Sequence, residues 1–304
     1  MAGSSKKVIY AALIGNSLIA VTKFVASSIT GSSAMLSEGI HSSVDTVNQV
    51  LLLFGLKRAE KPPSDKFPFG HGKEVYFWSF VVAMLIFAVG AGFSMYEGIE
   101  HLRHPREITQ PMVNYIVLII AMLFESVPLY IAFKKFREVK GDRGYIEAVK
   151  KGKDPTLFVV LFEDTAAMLG LIVAFVGISL SSITGVLYFD GISSIIIGLI
   201  LGVTAAVLAH ETKSLLIGES ANEEVVEGIH DIVSNVACVE RVNEVLTMHM
   251  GPEYILVNLS VEFNDSIRTE QMESVIAKID SDIKRQFMYV KRVFIEAESW
   301  KFTF

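Results

Sequence analysis

The strongest constraint on this chain is the recurrence of apolar stretches long enough to cross a bilayer, which takes about 20 residues in a helix. Six such stretches are read in the 304 residues, over 8–29, 34–56, 75–102, 112–134, 156–180 and 187–210. Hydrocarbon offers no partners to backbone N–H and C=O groups, so runs of this length predict transmembrane helices. The mean hydropathy of +0.47 is too apolar for an ordinary soluble domain, while 20% charged residues are too many for a chain buried wholly in lipid. A transmembrane domain over 1–210 joined to a soluble domain over 211–304 reconciles the two.

Charge in the connections gives an orientation. Lys6 and Lys7 precede the first stretch, and Lys57, Arg58, Lys61, Lys66 and Lys73 follow the second. Lys134, Lys135, Arg137, Lys140, Arg143, Lys150, Lys151 and Lys153 follow the fourth, whereas the connection between the third and fourth holds only Arg103 and Arg106. The positive-inside rule then places both termini and the even-numbered loops in the cytoplasm. The run Val8–Ile29 is too long for a signal-peptide core and carries no convincing cleavage site, so it is read as the first span. The expected location is a multi-pass cell (inner) membrane protein.

Beyond Glu211 the pattern changes. EEVVEGIHDIVSNV sets Val225, Ile229, Ile232 and Val236 at helical spacing. VNEVLTMHM and YILVNLSVEF, separated by Gly251-Pro252-Glu253, predict a hairpin whose second strand alternates Ile255, Val257, Leu259, Val261 and Phe263 on one face. A helix over 269–286, with Met272, Val275, Ile276, Ile279 and Ile283 on its core side, and a strand in YVKRVFIEAE complete an α-β-β-α-β layer. The expected fold is thus a six-helix transmembrane bundle plus a C-terminal cytoplasmic α+β domain. Residues 211–304 hold 17 acids against 9 Lys and Arg, which argues against nucleic acid as a partner. Cys238 is the single cysteine, so an internal disulfide and a thiolate cluster are both excluded.

Chemistry-bearing residues interrupt two of the apolar stretches. His41 and Asp45 stand four apart in EGIHSSVDTVNQVLLLFGL and share one helix face. An Asp at bilayer depth costs about 2.5–3.5 kcal/mol even on insertion scales, so such a pair faces a partner, a cavity or an ion. With no Lys or Arg close by in the sequence, a cation ligand pair is the reading preferred over a satisfied core histidine. In the fifth stretch Glu163 and Asp164 are adjacent and point about 100° apart on a helix; one is expected to bind the ion, the other to hydrogen-bond, carry a proton or line the path. Lys23 is placed to snorkel to an interface, and Asp190 to cap the sixth helix or favour its dipole. Glu97, Glu125, Asn16 and Asn48 are read as structural. His71 in FPFGHGK is read as part of a Gly-flanked turn.

On HSSVD, FGHGK, EDTAAMLG, YFDGISSIIIGLILG and the α-β-β-α-β tail, the chain resembles the cation diffusion facilitator family of divalent-metal/proton antiporters over essentially its full length. EGIHSSVDTVNQ, KDP at 153–155, FEDTAAMLG and SSITG at 181–185 look closest to its zinc transporter nine branch. The resemblance implies two ligands from the second span and two from the fifth, the latter commonly HxxxD. It carries over to His41, Asp45 and Asp164, while the fifth-span histidine position holds Val160; Glu163, water or Asn48 then supplies the rest. Family ligand positions in the loop hold Ser64 and Phe67 beside His71, and those in the tail hold Asn243, Asn258, Gln271, Glu296 and Glu298. No strong binuclear tail site is therefore expected, and His249 is a weak substitute.

The resemblance implies zinc efflux from the cytoplasm by alternating access and proton antiport, in a homodimer with no prosthetic group. The expected cargo is Zn²⁺, with Mn²⁺, Co²⁺ and Fe²⁺ as alternatives. A metal-responsive membrane scaffold or sensor that binds without transporting is the competing class. No Ser/His or paired-His arrangement points to an enzyme.

Overall fold

A computed structural model describes residues 2–140, 144 and 155–299, of which 2–15, 139 and 155–157 are described in backbone only. The basic residues Arg143, Lys150, Lys151 and Lys153, and the KDP motif up to Asp154, lie outside the described residues. Long helices dominate the first two thirds: α1 (Ala2–Thr30), α2 (Ser33–Ala59), α3 (Glu74–Leu85), α4 (Gly92–Arg103), α5 (Pro111–Lys140), α6 (Pro155–Thr184) and α7 (Tyr188–Ile217). A π-helical segment, Ile86–Ala91, joins α3 to α4. Four helical segments are long and apolar enough to cross a membrane, namely Glu74–Arg103, Pro111–Glu138, Phe158–Thr184 and Tyr188–Ile217. The expectation was six. Among the described residues α1 and α2 do not meet that measure, and in α2 the cause is visible: Glu38, His41, Asp45, Asn48, Lys57 and Arg58 lower its hydropathy.

The chain divides into two compact units. The first comprises Met1–Leu56 and Phe77–Thr212. In it α1 ends at Gly31, whose φ of 73° is the left-handed conformation that closes a helix C-terminus. Its N–H donates to Ser27 O at 2.8 Å, and α2 begins two residues later. The N-terminus of α2 is capped from another helix. Asp190, in the first turn of α7 and fully buried, accepts hydrogen bonds from Ser32 Oγ (2.6 Å), Ser33 N (2.5 Å) and Ser33 Oγ (2.9 Å). A carboxylate at this position satisfies orphan N–H groups and favours the positive end of the helix dipole. Asp190 therefore caps α2 while standing in the first turn of its own helix, where a carboxylate favours the dipole as expected. Small residues let α4 and α7 approach closely: a Cβ on Gly98 would lie 2.7 Å from Gly191 O, and one on Gly198 would lie 2.6 Å from Met95 Cγ.

The second unit comprises Lys57–Tyr76 and Lys213–Phe304. It contains α8 (Glu223–Ser234), β1 (Val239–Gly251), β2 (Tyr254–Phe263), α9 (Thr269–Gln286) and β3 (Val290–Ala297). The sheet order is β1-β2-β3, with β1 antiparallel and β3 parallel to β2. The alternating set Ile255, Val257, Leu259, Val261 and Phe263 is buried against Ile229 and Val233 of α8 and Ile279 and Ile283 of α9. The α-β-β-α-β order expected of the tail is the order observed. The segment after α2 belongs to this unit as well: a Cβ on Gly72 would overlap the Met250 carbonyl oxygen, so the loop backbone lies directly on the end of β1.

Replacing Asp190 by alanine removes the acceptor shared by Ser32 and Ser33 and leaves buried donors unpaired. The expected cost is about 1–3 kcal/mol, read as a lower unfolding temperature of the detergent-solubilised chain. An unchanged transition would show that the cap carries no stability.

Candidate functional site

His41 and Asp45 lie on one face of α2, as their spacing dictates, and both are buried. His41 Nδ1 stands 3.3 Å from Asp45 Oδ1. From α6, Glu163 approaches the pair. Its Oε1 accepts a 2.5 Å hydrogen bond from Asn48 Nδ2, and its carboxyl lies within hydrogen-bonding reach of Asp45. Asn48 follows Asp45 by three residues and so belongs to the same face. Asp164 occupies the neighbouring face of α6, with Glu163 and Glu125 as electrostatic neighbours. The structure thus sets Asp45 against both His41 and Glu163, with Asp164 next to Glu163 on α6.

Several ligand-type atoms here are buried without a hydrogen-bond partner: both ring nitrogens of His41, Asp45 Oδ1, Asn48 Oδ1 and Asp164 Oδ2. Buried polar groups are paired in the great majority of cases, so a cluster of unpaired ones calls for an explanation. As the side chains stand, no group of three or more His, Cys, Asp or Glu among the described residues is arranged to hold a metal ion. A cation entering between α2 and α6 would have to draw these carboxylates and the imidazole inward. Val160, at the position where a fifth-span histidine was looked for, packs instead with Leu129, Ala132, Phe136 and Leu161 in an apolar cluster between α5 and α6.

Residues read as peripheral turn out to be central. Lys23 does not snorkel: it is fully buried, and its Nζ donates to Glu38 Oε2 at 3.0 Å and to Ser42 Oγ at 2.7 Å. The expectation that no Lys or Arg lies near the His41–Asp45 pair is corrected for the folded chain, since Lys23 acts electrostatically on both residues. Glu125 of α5 is buried and acts on Asp45, Glu163 and Asp164. Glu38 was missed altogether. A signal for it exists: Lys23 lies eight residues before Gly31 and Glu38 seven after, so an antiparallel pair of helices turning at Gly31 sets them at one depth. Gly170 of α6 makes room for the pair, because a Cβ there would overlap Glu38 Oε1.

Of the accessory positions, Asn243 and Glu298 are engaged in hydrogen bonds. His71 Nδ1 lies 3.7 Å from Glu74 Oε1, its ring against Phe67, in a turn where Gly70 has φ 83°. In the tail Asn243 Nδ2 donates to Ser260 Oγ at 3.1 Å and to the Glu298 carbonyl at 2.9 Å. Ser260 Oγ donates in turn to Glu298 Oε2 at 2.8 Å.

The cation efflux transmembrane domain matches residues 9–217. The chain is 32% identical over 278 residues to the human mitochondrial proton-coupled zinc antiporter SLC30A9, covering 91% of this chain and 48% of that protein. It is 27% identical over 262 residues to metal tolerance protein C4 of Arabidopsis thaliana, covering 86% of this chain and 57% of that protein. With the manganese efflux system protein MneP of Bacillus subtilis it shares 24% identity over 302 residues, or 97% and 96% of the two chains. The chain thus spans about half the length of the antiporter relatives it matches.

A methyl group introduced by Gly170→Ala would press on Glu38 and strain its bond to Lys23. The expected loss is about 1–3 kcal/mol, the usual cost of overpacking a fitted interior. It is measured as a drop in thermal unfolding midpoint, and a midpoint equal to the parent's would show that the helices yield freely at this point.

Proposed function

The chain belongs to the cation efflux family, also called the cation diffusion facilitators, and from that premise we propose that it moves divalent metal ions across a membrane in exchange for protons. The observation that carries the reading is the meeting of His41, Asp45 and Glu163, with ligand-type atoms of His41 and Asp45 buried without a hydrogen bond and Asp164 adjacent to Glu163. One imidazole nitrogen and several carboxylate oxygens suit Zn²⁺. A set so weighted to oxygen also suits Mn²⁺, Co²⁺ and Fe²⁺. One relative is named for zinc and another for manganese, and zinc is our first choice because the set includes a histidine.

Coupling to protons arises from the ligands themselves. The imidazole must be neutral and the carboxylates ionised to coordinate, so protons and metal compete for the same atoms. Lowering the pH on one side therefore weakens metal binding there and releases the ion. In the topology we propose, α1 and α2 complete six spans with both termini cytoplasmic, the ion leaves the cytoplasm, and two copies form a homodimer. The competing reading is a metal-responsive scaffold that binds without transporting. It draws on Val160 and on the absence, among the described residues, of a ready-made three-ligand group.

Flux separates the two. Proteoliposomes holding the purified chain are expected to move Zn²⁺ when a pH gradient is imposed, and His41→Ala or Asp45→Ala to lower the rate at least tenfold. Competition with Mn²⁺, Co²⁺, Fe²⁺ and Cd²⁺ ranks the cargo. Binding without flux would favour the scaffold, and full flux in both variants would remove these residues from the site.

A further inference from the structure

Lys23 takes no part in the ligand set, yet it is the one Lys or Arg buried in the interior among the described residues. Its Nζ bridges Glu38 Oε2 and Ser42 Oγ, at 3.0 and 2.7 Å. It is thereby fastened to the turn of α2 that carries His41. Glu38 Oε1 is buried without a hydrogen bond and lies against Gly170 of α6. That carboxylate has capacity for a cation, and the ammonium already occupies half of it. The charge of Lys23 also reaches His41, Asp45 and Glu125. Five buried or partly buried carboxyl groups, on Glu38, Asp45, Glu125, Glu163 and Asp164, thus share one interior with a single fixed positive charge.

We propose that Lys23 is a tethered counter-cation of the transport site. By holding Glu38 it keeps the acidic interior to one divalent ion, and by its charge it lowers the affinity for that ion so that the ion can leave. The residue acts on the cargo through space and through Glu38, which makes it a positioning and affinity-setting residue rather than a ligand. The inference rests on the preceding reading that His41, Asp45 and Glu163 receive the cation. A buried ion pair that served only as packing would behave differently. Losing either partner would then lower stability, while folded molecules would bind metal as before. A counter-cation makes the two single variants move metal affinity in opposite directions, because one removes positive charge from the interior and the other removes negative charge.

The test is Zn²⁺ binding to the purified full-length chain in detergent, by equilibrium dialysis with metal counting. The variants are Lys23→Met, Lys23→Arg, Glu38→Gln and the double Lys23→Met/Glu38→Gln. Parent, Lys23→Arg and the double variant are expected to bind one high-affinity ion per chain. Lys23→Met is expected to bind roughly tenfold tighter or to take a second ion, and Glu38→Gln to bind roughly tenfold weaker. If Lys23→Met fails to fold, Glu38→Gln carries the test, since it removes charge at nearly constant volume. Affinity and stoichiometry within twofold of the parent in the folded single variants would overturn the counter-cation and leave the site reading intact. Failure of the parent to bind any divalent ion would overturn both.

Discussion

The buried bond between Lys23 and Glu38 sets the electrostatic terms for the helical unit. An isolated charge in this interior carries a desolvation cost of several kcal/mol, so an ammonium is retained there only with a partner of opposite sign and further hydrogen bonds. Glu38 and Ser42 supply both. Once that pair is closed, the carboxyl groups of Asp45, Glu125, Glu163 and Asp164 have no second Lys or Arg buried with them among the described residues. On the proposed function, protons or a metal cation balance them from outside the protein. An interior left short of positive charge in this way is suited to exchanging one for the other.

The remainder of the unit holds this arrangement in register. Gly31 turns the chain so that α1 and α2 run antiparallel, and the turn sets Lys23 opposite Glu38. Asp190 fixes the start of α2 through Ser32 and Ser33, eight residues ahead of His41. Gly170 admits the Glu38 carboxylate between α2 and α6. Each contact is made by one polar or small residue in an otherwise apolar helix. That placement is economical, because it leaves the outward positions free to stay hydrophobic: Leu18, Val21, Val25 and Ile29 of α1 are all exposed.

How much of this was legible depends on the range of each interaction. Hydrophobic period and turn residues are local, so the helices, the Gly251-Pro252-Glu253 hairpin and the α-β-β-α-β tail could be read directly. The His41–Asp45 face was legible for the same reason, being an i,i+4 relation within one helix. The partners that cross between helices were not. Asn48 and Glu125 looked isolated in their own spans, and only packing brings Asn48 to Glu163 and Glu125 to the shared acidic interior. Lys23 was misjudged because snorkelling is the default for a lysine near a helix end, whereas a carboxylate on the next helix reverses it. Lys23 and Glu38 stand at nearly equal distances from the helical turn at Gly31, and nearly equal distances imply nearly equal depth.

Val160 shows how a single apolar position reshapes the chemistry. It is committed to the cluster of Leu129, Ala132, Phe136 and Leu161 that joins α5 to α6, so the fifth span offers carboxylates without an imidazole. If these side chains receive the cation, shifting the ligand weight from nitrogen to oxygen softens a preference for zinc and brings harder cations closer in affinity. On the proposed function it also bears on the proton exchange. Carboxylates in a water-poor interior favour the protonated form unless a cation is present, so each oxygen that replaces a nitrogen adds a group able to take up a proton as the metal leaves. On the proposed function, an apolar Val160 and a Glu163 set against Asp45 therefore bear on metal preference and proton coupling together.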